Sequence, residues 1–266
     1  MKNLLIIGNT SYIARAFMHY LAEHPQLNIT TKSISSRSTE EDIDFSAYHS
    51  VLFTAGIAHR KQTADNQQLY YDINRDLAVT LATRAKAAGA GQFIYLSSMA
   101  VYGVTTGAIG PDTPLLPNPR DHYATSKQQA ETQLQALASD DFAVTILRPP
   151  LVYGEGCPGK YNTLRKIAKQ APVLPTYTNQ RSMVHVDNLS QIMADCIHQP
   201  ATQILCPQDD HYHCTSHLLA QLAADMGRKP IKLALLNPFI AVGIPMIPTL
   251  KTAFGDLYYV TDSPHS

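Results

Sequence analysis

The sequence predicts an α/β fold, a doubly wound parallel sheet with helices on both faces and a smaller C-terminal lobe. Three observations carry this reading. Apolar runs of strand length recur through the first 150 residues, and helical patterns separate them. A glycine turn, "GNTSYIA" (Gly8 to Ala14), directly follows the first run. After Arg148 the alternation gives way to irregular sequence with prolines at 149, 150, 158, 172 and 175. The expected division is therefore residues 1–150, with some later segments returning to that domain, and 151–266 for the lobe. Open sheets of this kind bind ligands at the carboxyl ends of their strands, and the lobe is expected to cover that edge.

Each element follows from its local pattern. "NLLIIG" reads as a strand and residues 11–23 as a helix. "NITTKSIS" and "SVLFTAG" read as the second and third strands. A long helix is expected from about Gln67 to Ala88, because Leu69, Ile73, Leu77 and Leu81 recur at helical spacing. "QFIYLSS" is a strand, residues 103–121 a loop rich in proline and glycine, residues 122–138 a helix, and "FAVTILR" a further strand.

Composition excludes several function classes. Lys plus Arg equals Asp plus Glu at 21 each, so there is no electrostatic reason to expect a nucleic acid or an anionic membrane as partner. The apolar run at the N-terminus is too short for a signal peptide, and four cysteines in a chain of this length fit a reducing, cytoplasmic setting. Two segments invite other readings. Residues 233–250, "LALLNPFIAVGIPMIPTL", carry no charge, but Pro238, Pro245 and Pro248 would interrupt a membrane helix. A buried or partner-facing helix and loop is expected there. "CPQDDHYHC" brings Cys206, His211, His213 and Cys214 close in sequence, yet at no common zinc spacing, and no metal is expected.

The glycine turn lacks two of the three glycines usual in dinucleotide-binding turns. Gly8 keeps the tight bend that leaves the strand. Ser11 stands where the backbone would approach a pyrophosphate, and its hydroxyl could donate a hydrogen bond there. Ala14 stands where the helix packs closely on the strand. The helix N-terminus still presents amides and a positive dipole end, whatever these residues are.

A second constellation lies downstream. "YATSK" places Tyr123 and Lys127 four apart, on one face of a helix. Ser98, in "LSSMAVYG", ends a strand. A phenol, an ammonium and a hydroxyl at the carboxyl end of one sheet can serve hydride transfer. Free tyrosine titrates near ~10. A neighbouring ammonium and a cationic nicotinamide would favour the phenolate, letting Tyr123 act as a base near neutral pH.

With these motifs in order, the chain resembles the extended short-chain dehydrogenase/reductase family, also called NAD-dependent epimerase/dehydratases. The resemblance rests on "GNTSYIA", "LFTAG", Asn74 in "DINRDLAVTLATRAKAAG", "SSMAVYG", "YATSK", "LRPPLVYG" and "QRSMVHVDNL". It implies a Rossmann-like fold, a nucleotide-sugar substrate of the kind used in polysaccharide biosynthesis, and a homodimer built on two long helices. It implies Ser98, Tyr123 and Lys127 as catalytic residues. Gly8, Thr10, Ser11, Tyr12, Ile13, Ser36, Arg37, Asp44, Phe45, Ala55, Gly56, Asn74, Tyr123, Lys127 and Pro149 would line the cofactor. Ser98, Tyr123 and Arg181 would meet substrate, Arg181 at the nucleotide diphosphate.

Departures from the family pattern shape the expected activity. No acid closes the second strand, and "SISSR" offers Ser36 and Arg37, which suit a 2′-phosphate and hence NADP over NAD. Leu151 stands where many sugar epimerases of the family have asparagine. Both tilt the reading to a reductase of nucleotide-linked 4-keto sugars over a UDP-sugar 4-epimerase resembling UDP-glucose 4-epimerases. A non-catalytic cofactor-binding module or redox sensor is the alternative from another class. The joint presence of Ser98, Tyr123 and Lys127 argues against it.

Overall fold

The structure, a computed structural model, describes residues 1–37, 43–58 and 62–260. In chain order its strands are β1 (Lys2–Ile7), β2 (Ile29–Ile34), β3 (Ser50–Phe53), β4 (Gln92–Leu96), β5 (Gly107–Ile109), β6 (Ala143–Leu147), β7 (Leu151–Tyr153), β8 (Val173–Leu174), β9 (Met183–His185), β10 (Gln203–Leu205), β11 (Ile231–Lys232) and β12 (Leu257–Tyr259). The α-helices are α1 (Tyr12–Glu23), α2 (Gln67–Tyr71), α3 (Ala78–Ala87), α4 (His122–Gln135), α5 (Lys160–Gln170), α6 (Val186–His198), α7 (Thr215–Asp225), α8 (Asn237–Gly243) and α9 (Pro248–Phe254). The chain divides into two compact units. The first comprises Met1–Gly103, Leu115–Pro150 and Val186–Pro207; the second comprises Val104–Pro114, Leu151–His185 and Gln208–Ser266.

The first unit is built on a parallel sheet of strand order β2-β1-β3-β4-β6-β10. Its central strands are apolar almost throughout because both faces are covered. Alternate residues point to opposite faces. Leu5 and Ile7, Val51 and Phe53, Phe93 and Tyr95, and Val144 and Ile146 join a core with Ala78, Leu81, Ala82 and Ala85 of α3 and Ala130 and Leu134 of α4. The intervening Leu4, Ile6, Leu52 and Ile94 are equally buried. Helices α1 and α6 pack against one another, and the Tyr20 hydroxyl of α1 donates to Gln191 of α6 at 2.6 Å. Strand β1 pairs with β2 on one side and β3 on the other, so the winding of the chain reverses between β1 and β3. That reversal opens a crevice beyond their carboxyl ends.

The second unit contains three short parallel ladders, β7 with β9, β5 with β12, and β8 with β11. Helices α5 and α7 pack together. The Arg228 guanidinium donates to the carbonyls of Ala168 and Ala171, satisfying acceptors at the end of α5.

Two expectations differ from the structure, and a third is narrowed by it. The long helix expected over 67–88 is interrupted by a π-helical stretch, Asp72–Leu77, between α2 and α3. The loop expected over 103–121 holds strand β5, whose residues pair with the distant β12, a long-range contact that local composition does not encode. Residues 233–250, expected as a buried or partner-facing helix and loop, form α8 and the start of α9, and most of their apolar side chains do not follow the buried alternative. Leu235, Phe239, Val242 and Met246 are 66–75% exposed. With prolines at 238, 245 and 248, the segment bends by 120° between its helices and so cannot fold its apolar residues onto one core-facing stripe.

Candidate active site

Gly8 sits at the reversal point between β1 and β3. Its φ of +102° lies in the region glycine favours. A Cβ there would come within 2.6 Å of the Ala55 amide nitrogen and 2.7 Å of the Ala55 Cα, so only glycine fits. The Gly8 amide bonds to the Ile34 carbonyl at 2.9 Å, and the Gly8 carbonyl accepts from Ser11 N–H at 2.9 Å. Ser11 is the N-cap of α1. Its hydroxyl oxygen accepts the Ala14 amide at 3.0 Å, a bond that stabilises the helix start and leaves the hydroxyl hydrogen free for a ligand. The Asn9 side-chain carbonyl is buried beside this turn and has no hydrogen-bond partner among the described residues. A glycine-only cradle, an open helix N-terminus and an orphaned buried acceptor suit a dinucleotide. Thr10 is exposed here, and Tyr12 and Ile13 are half-buried.

Along the carboxyl edge of the sheet, Ala55 is buried and Gly56 exposed. A Cβ on Gly56 would stand 3.2 Å from Asn74 Oδ1 and 3.4 Å from Lys127 Nζ, so both side chains crowd this backbone. Asn74 is fully buried. It bridges the edge to α4, accepting from Ile57 N–H at 2.9 Å and donating to Ser126 Oγ at 3.1 Å. The π-helical stretch that contains it explains this reach, since one widened turn redirects a side chain that a regular helix would carry elsewhere.

Ser98 caps the short turn after β4, its hydroxyl oxygen accepting from the Ala100 amide at 3.2 Å. The same hydroxyl neighbours the Tyr123 phenol and acts to lower its pKa. One helical turn further along α4, the Lys127 ammonium is buried. It donates to the Leu96 carbonyl at 2.8 Å and lies 4.5 Å from the centre of the Tyr95 ring. The Tyr95 hydroxyl in turn donates to the Asn74 carbonyl at 2.5 Å. Burial lowers the Lys127 pKa to about 7, against the pull of Glu131. Burial raises that of Tyr123; Asp121 adds to the rise and the Ser98 hydroxyl opposes it. Desolvation is therefore the largest influence on the phenol.

Behind Lys127 lies a saturated ionic network. Glu131, one turn along α4, takes a bidentate pair from Arg148 with a closest contact of 2.6 Å, and it also accepts from the Ser97 hydroxyl. Arg148 donates further to the Tyr102 hydroxyl at 2.9 Å. Burial works against the guanidinium charge, but Glu131 outweighs it and Arg148 stays charged. The sequence reading missed Asn9, Tyr95 and this network. Glu131 had one usable signal, its four-residue spacing from Lys127 on a helix. Tyr95 had none, because an inward strand tyrosine reads as core.

The other expected site residues are more scattered. Ser36 is half-buried and Arg37 exposed just beyond β2. The Asp44 carboxylate accepts the Ser46 amide and hydroxyl, which lower its pKa. The Phe45 ring lies in the core, so what this residue can offer a cofactor is its backbone. The buried Pro149 accepts from Met99 N–H at 2.9 Å. Arg181 belongs to the second unit, where its guanidinium donates to the Gly255 carbonyl at 2.8 Å. In that unit the Asp209 carboxylate gathers the Tyr153 hydroxyl, the His185 amide and His213 Nε2, all at 2.8–3.0 Å. His211 instead pairs with Asp210, Cys214 with the Tyr177 carbonyl, and Cys206 of the first unit with the Tyr102 hydroxyl.

Comparisons with known proteins agree with this architecture. Over 84% of its length the chain is 33% identical to a UDP-glucose 4-epimerase of Vibrio cholerae, of which it covers 75%. A dTDP-4-dehydrorhamnose reductase from Bacillus anthracis, solved with NADP, superposes with a TM-score of 0.69 at 16% identity, covering 88% of this chain and 84% of that one. A UDP-glucuronic acid 4-epimerase from Bacillus cereus, solved with NAD, gives 0.70 at 13% identity over 98% and 90%. These two likenesses concern the fold, a Rossmann-like α/β sheet. The sequence profile of the NAD dependent epimerase/dehydratase family matches residues 4–205, and the chain is an enzyme of that family.

Proposed function

We propose that the chain carries out NAD(P)-dependent oxidation and reduction at C4 of a nucleotide-activated sugar of the UDP-hexose type. The observation that carries this reading is the Ser98 hydroxyl beside the Tyr123 phenol, one helical turn from a buried lysine. When bound, the dinucleotide supplies the hydride acceptor or donor. Gly8 and the N-terminus of α1 hold its pyrophosphate, the Asn9 carbonyl accepts from one of its hydroxyl or amino donors, and Arg37 with Ser36 holds a 2′-phosphate where one is present. Asn74 keeps the edge of β3 in place at Gly56. Tyr123 moves the proton at the C4 oxygen, and Ser98 orients that oxygen. Lys127 contributes positive charge beneath the site, and its pKa of about 7 leaves it able to respond to an anion in the pocket. Arg181 meets the substrate diphosphate.

Between the two forms of this chemistry, kinship with the Vibrio cholerae enzyme supports 4-epimerisation. Arg37 at the end of β2 supports the second form, 4-keto reduction with NADPH. The purified protein separates them. An epimerase interconverts UDP-glucose or UDP-N-acetylglucosamine with its C4 epimer without added reductant, and releases NAD on denaturation. A reductase consumes NADPH in step with loss of a UDP-4-keto-6-deoxy sugar. Failure of both assays, with cofactor binding intact by calorimetry, overturns C4 chemistry and leaves the non-catalytic reading.

A further inference from the structure

The strongest feature outside the site is the stretch from Met226 to Gly255 in the second unit. Over these residues the chain carries Arg228, Lys229, Lys232 and Lys251 and no aspartate or glutamate, although the whole chain is neutral. Within it, Leu235, Phe239, Val242 and Met246 follow at helical spacing and are 69, 72, 66 and 75% exposed. Phe239, Val242 and Met246 line one shallow apolar depression together with Pro238 and Ile247. Lys229 and Lys232 are exposed immediately before this apolar run. A contiguous apolar face presented to water marks a contact surface.

We propose that this face docks on the surface of an anionic lipid bilayer, lying in the headgroup region. The inference stands independently of the substrate assigned above. Two observations choose this occupant. First, Arg228, Lys229 and Lys232 precede the apolar run and Lys251 follows it, with the nearest acids at Asp225 and Asp256 outside it, and cations beside an apolar segment suit an anionic headgroup layer. Second, the segment is apolar enough to cross a membrane by composition, but its helices are short and bent by 120°, and no single helix among the described residues is long enough to span. Such a pair fits a shallow seat in the interface.

The test is flotation of the full chain with vesicles of phosphatidylcholine alone or mixed with phosphatidylglycerol. The wild type is expected to float with the mixed vesicles and to be released by high salt. Phe239→Ser combined with Met246→Ser should weaken binding by about a hundredfold or more, since each buried large apolar side chain is worth roughly 1.5–3 kcal/mol. Lys229→Gln with Lys232→Gln should abolish the preference for the anionic vesicles. All four positions are surface residues away from the proposed catalytic groups, so circular dichroism and turnover should match wild type. Absence of flotation with anionic vesicles overturns the proposal, as does unchanged flotation of the Phe239/Met246 variant. A concentration-dependent dimer in sedimentation that the Phe239/Met246 variant dissolves, without vesicle binding, assigns the face to a second copy and also overturns it.

Discussion

Two buried cations stand one turn apart against the same helix and are treated in opposite ways. Arg148 is fully partnered: Glu131 grips it at two points and Tyr102 takes another nitrogen. Among the described residues, the direct contacts of Lys127 are neutral groups, the Leu96 carbonyl and the face of Tyr95. Glu131 is close enough to raise the lysine's pKa, but burial still wins and leaves it near 7. The Arg148 charge is compensated within the fold. The Lys127 ammonium is held at a cost in stability, which is the usual mark of a group kept for work on a ligand.

Breaking the second member of this comparison should have the largest effect on turnover. Tyr123→Phe and Lys127→Met should each lower kcat by about 10²–10⁴-fold, the usual cost of losing a positioned proton-transfer group or its supporting charge. Lys127→Met should nevertheless stabilise the cofactor-free protein. The sign follows from linkage. The lysine is neutral in the folded chain above pH about 7 and protonated in the unfolded chain up to near 10.5. The unfolded state therefore binds the extra proton between those values, and wild-type stability rises with pH across that window. Thermal melts from pH 6 to 10 check this, and the methionine variant should lose that rise. A variant both inactive and less stable at neutral pH would refute the contrast drawn here.

Breaking the first member should act on the fold. Glu131→Gln leaves the Arg148 guanidinium buried and without its counter-charge, and it should cost about 3–5 kcal/mol in a urea melt. It should also lower the Lys127 pKa further, moving any lysine-dependent limb of the pH profile to more acid values. Arg37→Ala comes next. If the guanidinium binds a 2′-phosphate, NADP(H) affinity should fall roughly ten- to a hundredfold while NAD(H) affinity is spared, as calorimetry would show. The smallest effect is expected of Ser11→Ala, about 1 kcal/mol of stability from the lost cap on α1.

Much of the first unit was legible because its signals are local. The strands β1, β3, β4 and β6 are apolar runs long enough to be buried on both faces, and Tyr123 and Lys127 announce themselves by helical spacing. Gly8 was legible too, because a tight turn after a strand leaves few alternatives to glycine. What was not legible depends on distance in sequence. Nothing in "QFIYL" distinguishes Tyr95 as the floor beneath a lysine. Nothing local pairs residues 107–109 with residues 257–259. The segment 233–250 was left as either buried or partner-facing because hydrophobicity reports what a residue avoids, and only the tertiary structure reports whether something covers it.

The π-helical stretch at Asp72–Leu77 has a meaning for how this chain can change by insertion and deletion. Tyr70, Asn74 and Ala78 are buried at intervals of four, a rhythm that a regular helix of 3.6 residues per turn would let drift. The wider turn accommodates it. Removing one residue there would restore an ordinary, locally better-bonded helix and swing Asn74 by about 100° away from Ile57. The stretch is therefore a place where a single deletion would trade the shape of the sheet edge for helix regularity.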